Sequence, residues 1–462
     1  MIKHTPFRFR VTLRGPDRLS GAFIVGGIAG LLATQSGCGA PPDDSSSADV
    51  TAEESALGAG LNPYGVGTTV HTTGAIDQTN PFFQQLGTNP RTCATCHSPA
   101  QGWTTNAATN SALLLFTQGL APIFNLVDEG NRPDADISTF AARVDTFKAT
   151  LADRGLTRFT RTISATAEFS LIAVEDPYGW SDTTRFSGFR RPTPTANETK
   201  APSILWTGSP TTDVISQLRG ILPGGAKLHE QRDPANPVTT DQANATGDFM
   251  FGVVFAQSRD FRAGRLDSDG AKGGPANLLA QEFYVGINDS AGNDPMGRAF
   301  NPKVFNIYDA WARYARHDDR DGSAGARGAI YRGQEIFNGV GKCGGCHDSP
   351  NVGSHSTVAF FNIGTAEPPR CSSALPLLTL QNKTTLETKV TCDPGRALST
   401  GKWSDIGRFR APPLRGLAAR APYFHDGQAH ALRDVVDHYN ERLSLNLSGS
   451  QKRDLESFLG AL

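Results

Sequence analysis

The chain has 462 residues, 44 Lys and Arg against 45 Asp and Glu, and seven cysteines. That length accommodates two or more domains. The near balance of charge, without a basic footprint, excludes a nucleic-acid binder. Residues 1–37 concentrate five basic side chains (Lys3, Arg8, Arg10, Arg14, Arg18) against one acid, Asp17. Gly21 to Ala33 then form an apolar stretch of 13 residues, too short to span a bilayer and suited to the core of an export signal. Small residues lead into Cys38 (TQSGC), a pattern similar to a bacterial lipobox with Gln35 where Leu is usual. The readings are lipidation of Cys38 and ordinary cleavage near it. Elsewhere no stretch is apolar enough to cross a membrane, so the expected location is periplasmic, with an outer-membrane lipid anchor if Cys38 is acylated. Residues 38–60 are small, polar and acidic and read as a flexible linker.

Two C-x-x-C-H motifs follow, Cys93-Ala94-Thr95-Cys96-His97 and Cys343-Gly344-Gly345-Cys346-His347. This spacing puts two thiols within reach of the two vinyl groups of a haem and aims the next residue, His, at the iron. Composition alone expects only ~0.002 such matches in a chain of this length. A zinc knuckle needs further Cys or His nearby, and the first motif has none. Covalent attachment of two haem c groups is therefore expected, with His97 and His347 as axial ligands. Cys371 and Cys392 remain, and are read either as a disulfide in an oxidising compartment or as two free thiols.

The charged, glycine-rich run Arg316–Gly328 is the expected boundary between an N-terminal haem domain (61–325) and a C-terminal cytochrome c domain (326–462). Residues 170–300 are rich in Gly, Pro, Asn and Thr and read as loops with short helices. Ala329–Asn338 has helical spacing and stops at Gly339. Ala431–Arg442 places Leu432, Val435, Val436 and Tyr439 on one face, and Ser448-x-x-Gln451 is a capping box for a last helix. The expected fold is mainly α, two cytochrome-c-like domains with loop-rich insertions. Methionine, a common sixth haem ligand, is scarce: Met1, Met250 and Met296 all lie upstream of the second motif.

The segment Phe409–Tyr439, FRAPPLRGLAARAPYFHDGQAHALRDVVDHY, resembles the end of the bacterial dihaem cytochrome c peroxidase family, which includes the MauG-type enzymes. The family pattern is F-x-x-P-x-L-R followed by A-P-Y-x-H-D-G, matched here through His425 and Asp426. Peroxidase members carry Met 14 residues after that His, and MauG-type members carry Tyr. Here the position is Tyr439, so the resemblance implies a phenolate as sixth ligand of the second haem, favouring oxidised iron. The alternatives are that Tyr439 packs on its helix face while His438, or no residue, ligates.

By the same resemblance the first haem is the peroxide site. The next histidine after His97 is His229, so the site is expected to be open, with His229 as the competing distal ligand. In APSILWTGSP, Trp206 corresponds to an indole between the haems or to plain core packing. Gln217, and Glu230 as an acid that shuttles a proton between peroxide oxygens, follow at the nearest matching places. The other reading of Glu230 is a solvated surface acid. Family members bind calcium near the A-P-Y segment; Arg420 and Pro422 hold those positions, with no clear match for the family's Asn. The implied activity is reduction or activation of hydrogen peroxide at the first haem, the second relaying electrons. The implied donor is a small periplasmic carrier, or a protein or organic substrate in MauG-like chemistry. A non-enzymatic electron carrier and a dioxygen-using oxygenase on the same fold are the other classes.

Overall fold

The computed structural model describes residues 59–208, 213–318 and 320–462. The expected export signal, Cys38 and most of the linker lie outside these. The linker ends earlier than expected, because Ala59 and Gly60 already belong to β1 (Ala59–Asn62), which pairs antiparallel with β2 (Gly65–His71).

α1 (Cys93–Cys96) carries the first haem motif. α2 (Ala107–Phe116) and α3 (Phe140–Phe147) follow, each begun by a side-chain cap, Asn106 accepting from the Thr109 N–H and Thr139 from the Ala142 N–H. Three strands come next, β3 (Thr157–Arg161), β4 (Phe169–Glu175) and β5 (Phe186–Arg190). α4 (Val214–His229) and α5 (Thr240–Gly252) pack on each other through Leu222, Ala226 and Ala243. β6 (Val253–Asp260), β7 (Gly264–Arg265) and the short α6 (Gly274–Leu279) complete the upstream part.

α7 (Gly322–Asn338) leads into the second motif. It starts inside the run expected as a boundary, so the 325/326 division falls within its first turn. β8 (Leu377–Asn382) and β9 (Thr388–Thr391) form a hairpin, and α8 (Ala397–Thr400), α9 (Leu432–Arg442) and α10 (Gly449–Gly460) follow. The Ser448/Gln451 capping box is formed at the start of α10.

The fold is less helical than expected, 33% helix with 14% strand. Strands run in the orders β1-β2-β6-β7, β3-β5 and β4-β8-β9. The region 170–300, expected as loops, contains β5, β6, β7 and two long helices. Its strands find partners far away in the chain: β2 pairs with β6, and β4 pairs with β8 across the expected domain boundary. A Cβ on Gly67 of β2 would sit 2.3 Å from the Phe255 ring, so glycine there lets β6 lay that ring over its neighbour.

Two apolar cores support the haem motifs. Phe82, Trp103, Phe249 and Phe255 cluster beside α1. Phe305, Tyr308, Trp311, Phe337 and Phe458 cluster where α7 meets α10. Gly333 makes that helix contact close, since a Cβ would lie 2.0 Å from the Asp454 carbonyl. Truncating Phe458, fully buried here, costs about 3–5 kcal/mol.

Candidate active site

The two haem motifs adopt the same local geometry. The His97 N–H donates to the Cys93 carbonyl at 2.9 Å, and the His347 N–H donates to the Cys343 carbonyl at 3.0 Å. Each imidazole is then tethered six residues on: His97 Nδ1 to the Trp103 carbonyl at 3.2 Å, His347 Nδ1 to the Gly353 carbonyl at 2.5 Å. A backbone acceptor on Nδ1 makes it the donor and leaves Nε2 as the ligand atom. Burial lowers both histidines to about 4, which keeps them neutral, as ligation requires. Burial pushes the Cys93, Cys96, Cys343 and Cys346 thiols up; these sulfurs stand where thioether sulfurs would be after attachment.

Each motif opens into a cavity. The first, about 430 Å³, is lined by Cys93, Cys96 and His97, and by Glu129, His229 and Glu230 among others. The second, about 160 Å³, is lined by Cys346, His347, Phe361, Phe409, His425 and Tyr439 among others. Trp206 lines both, together with Arg191, Pro192 and Pro194. The Trp206 indole N–H donates to the Arg191 carbonyl at 2.7 Å, and the Arg191 N–H donates to the His425 carbonyl at 2.7 Å. The indole also meets the His425 ring edge-on, with centroids 6.4 Å apart.

Buried guanidinium groups surround this junction. Arg191 and Arg420 are 5% exposed and Arg410 is 7% exposed, and all three line the second cavity. Burial lowers Arg191 to about 10 and Arg420 to about 9. Among the described residues only Arg410 of the three pairs with a carboxylate, Glu198 at 3.3 Å. Arg191 Nε, Arg410 Nε and Arg420 Nη2 have no hydrogen-bond partner. Buried cations with orphaned donors need an anion opposite them. The propionates of haem match that need, as the thiols and histidines match its vinyls and iron, so the residues present fit haem in both cavities.

The expected site residues fall into two groups. Tyr439 lines the second cavity with His347. Burial pushes its phenol up, and the neighbouring cysteines add to this. His438, the rival ligand, is turned away, its Nε2 hydrogen-bonded to the Ile363 carbonyl at 3.1 Å. His425 is buried and stacked on Phe409 at 4.0 Å, and Asp426 is fully buried with its carboxylate held by Gln428. Cys371 and Cys392 form a disulfide, Cα atoms 5.9 Å apart, which closes the segment containing the β8–β9 hairpin.

Glu230 is 3% exposed, so it is not a surface acid. One carboxylate oxygen accepts from the Leu86 N–H at 2.8 Å, and the other lies 3.7 Å from Cys93 Sγ. Burial raises its pKa. Gln217 is not among the residues lining the first cavity; its amide oxygen accepts from the Ile204 N–H at 3.0 Å and braces the turn that carries Trp206. Met250 lines the first cavity, whereas Met296 is 66% exposed. Arg420 and Pro422, the positions compared with the family's calcium segment, line the second cavity.

A charged group at the first cavity was not legible in the sequence. Arg91 donates to Asp128 and to Glu129, each at 2.5 Å, and Asp128 also pairs with His229 Nδ1. Burial and the Asp128 charge push Glu129 up. Burial opposes ionisation of Asp128, yet Glu129, His229 and Arg91 hold it down. The shared Arg91 thus holds two acids with opposed tendencies beside Cys96. These residues form no motif, and only folding joins Arg91 to positions 37 and 38 residues away.

A cytochrome-c peroxidase of Denitromonas iodatirespirans, IdrP2, is 35% identical over 143 residues, 28% of this chain and 38% of its own. Cytochrome c551 peroxidase of Pseudomonas aeruginosa is 33% identical over 132 residues, covering 28% and 33%. The methylamine utilization protein MauG of Methylorubrum extorquens is 28% identical over 148 residues, again 28% and 33%. Over these matched segments the chain is similar to bacterial cytochrome c peroxidases and to MauG, which supports a place in the dihaem cytochrome c peroxidase and MauG family. The chain spans about a third of the length of these curated relatives. No family model matches the chain. A solved MauG-like protein associated with microbial copper homeostasis aligns with 59% of this chain and 73% of its own at 18% identity, with a TM-score of 0.34. Among the described residues no helix is long and apolar enough to cross a membrane.

Proposed function

We propose that this protein is a periplasmic dihaem oxidoreductase that reduces or activates hydrogen peroxide at the first cavity, with electrons relayed from the second. The observation that carries this reading is Trp206, which lines both cavities and is hydrogen-bonded to the Arg191 carbonyl, the residue whose N–H reaches His425. Two haem c groups, held by Cys93/Cys96 with His97 and by Cys343/Cys346 with His347, would supply the electron exchange and peroxide chemistry. His97 and His347 offer a neutral Nε2. Tyr439 would offer a phenolate oxygen as ligand, the positive charge of ferric iron favouring the anion and the proton passing to solvent. The buried guanidinium groups of Arg191, Arg410 and Arg420 hold the anionic edge of the cofactors. Glu230, buried and poised towards its protonated form, is the group that takes and returns a proton at the first cavity. Peroxide as substrate follows from the peroxidases among the relatives. The electron donor is a small periplasmic carrier or, in MauG-like chemistry, an oxidisable protein. The halves 61–325 and 326–462 are assigned as peroxidatic and electron-transfer domains, and the lipid anchor at Cys38 belongs to the same proposal.

Peroxide consumption with a reduced small c-type cytochrome tests the proposal. Turnover that falls in Trp206→Phe, with both haems retained and spectrally unchanged, supports it. Absence of peroxide turnover in wild type, with two haems per chain, overturns it.

A second reading has one observation in its favour. His229 lines the first cavity and its Nδ1 is held by buried Asp128, an arrangement that orients Nε2 towards a metal. A first iron closed by His229 would make the protein an electron carrier. Electron paramagnetic resonance of the diferric protein separates the two. A high-spin signal beside a low-spin one fits an open first site, whereas two low-spin signals fit the closed one.

A further inference from the structure

A second set of ligating side chains lies outside both cavities, in the loops below the second haem motif. Asp289, Asp348 and His355 each present one atom, and the three atoms lie within 4.8 Å of one another. It is the one such group among the described residues. All three are buried, with exposures of 3%, 0% and 7%. None lines either cavity.

Both carboxylates are oriented by the backbone. Asp348 accepts from the Ser356 N–H at 2.6 Å and the Ser290 N–H at 3.1 Å. Asp289 accepts from the Ala291 and Asn293 N–H groups, each at 3.1 Å, and from the Asn293 amide at 3.0 Å. Among the described residues neither pairs with a lysine or arginine. Two carboxylates placed this close in the interior need a positive charge between them.

His355 is the independent pointer. Its Nδ1 stands 3.1 Å from Asp348 Oδ2, with the side chain 8% exposed, yet this nitrogen has no hydrogen-bond partner. The contact has the distance of a hydrogen bond without its alignment. Two ligand atoms on one tetrahedral ion at 2.0–2.2 Å are separated by about 3.4 Å, close to this spacing. An imidazole with two carboxylates suits zinc, whereas calcium and magnesium prefer oxygen alone.

We propose that Asp289, Asp348 and His355 form a zinc-binding site. The ion clasps the loop around Asp289 to the loop that carries His347, which already meet where the Asn288 amide donates to the Asp348 carbonyl at 2.9 Å. The site reaches the second cavity through the His355 ring, packed edge-on against Phe361 at 5.0 Å. Zinc occupancy therefore stiffens the seat of the second haem.

The test uses purified protein carrying both haems, loaded with zinc chloride and dialysed against metal-free buffer before elemental analysis. The expected result is one zinc per chain in wild type. Asp289→Asn and His355→Gln are expected to retain both haems and lose the zinc. A haem count identifies any variant that misfolds. For that case, competition on wild type against a chromophoric zinc chelator gives an independent answer: zinc withdrawn from the chelator supports the site. Wild type that takes no zinc from the chelator, or variants that keep it, overturns the proposal. The measurement does not depend on peroxide turnover, so it stands or falls apart from the proposed activity.

Discussion

The two haem cavities share an attachment motif and a histidine tether, yet their walls differ in kind. The first is larger and charged, with Arg91, Glu129, His229 and Glu230 on its surface. The second is smaller, with Phe361, Phe409, Phe424 and Tyr439 on its walls and the buried guanidinium groups of Arg191, Arg410 and Arg420 in place of carboxylates. The motif is thus the same at both cavities, and the proposed difference in role rests on the surroundings. Proton-handling groups belong where a substrate is protonated.

The strongest way to break this comparison is to remove one attachment site at a time. Cys93→Ser with Cys96→Ser is expected to leave one haem per chain by pyridine haemochrome assay and to abolish peroxide turnover. Loss of the second attachment site that left turnover intact would show that the second haem is not a relay.

Next in size is the acid at the first cavity. Glu230→Gln is expected to lower peroxide turnover about 10²-fold, the scale of a lost general acid, with the second haem's spectrum unchanged. A smaller effect is expected from Tyr439→Phe. It should shift the absorption and resonance spectra of the second haem alone and slow turnover by about 10-fold, within the range for disturbed metal surroundings. An unaltered second-haem spectrum in Tyr439→Phe would remove Tyr439 as ligand.

The smallest effect on chemistry is expected at the Arg190–Asp393 pair behind His425. Arg190 donates to Asp393 at 2.6 and 2.8 Å. Burial opposes ionisation of Asp393, but Arg190 and His425 hold its pKa below the ordinary range. Asp393→Asn should cost about 3 kcal/mol near neutral pH by denaturant unfolding, with turnover per folded molecule little changed. A lowered native pKa contributes stability above the unfolded value, about 3.9, and loses it as pH falls through the native one. The deficit of the variant should therefore shrink below about pH 4. A deficit that grew in acid would contradict the assigned direction.

How much of this was legible follows from how local each feature is. α9 and α10 were readable because apolar spacing and the Ser448/Gln451 box act within a few residues. α4 was not, because Pro223, Gly224 and Gly225 argue against a helix. The packing of Leu222 and Ala226 on α5 outweighs them. β4 was hidden for another reason: its pairing partner, β8, lies some two hundred residues on, and no local pattern carries that register. Tyr439 was singled out by the family resemblance around His425, and it lines the second cavity. The Arg91–Asp128–Glu129 group was not, since such acids and bases in isolation look like any solvated surface.

Local sequence carries the two C-x-x-C-H motifs, because two thiols and a histidine within five residues need no distant partner to be read. It also determined the helix that presents Tyr439, through periodicity. The tertiary structure decided that Trp206 borders both cavities, that three buried arginines gather at their junction, and that Asp289 meets Asp348 and His355. Those placements depend on segments far apart in the chain being packed together, and such packing is set by the whole interior rather than by any run of residues.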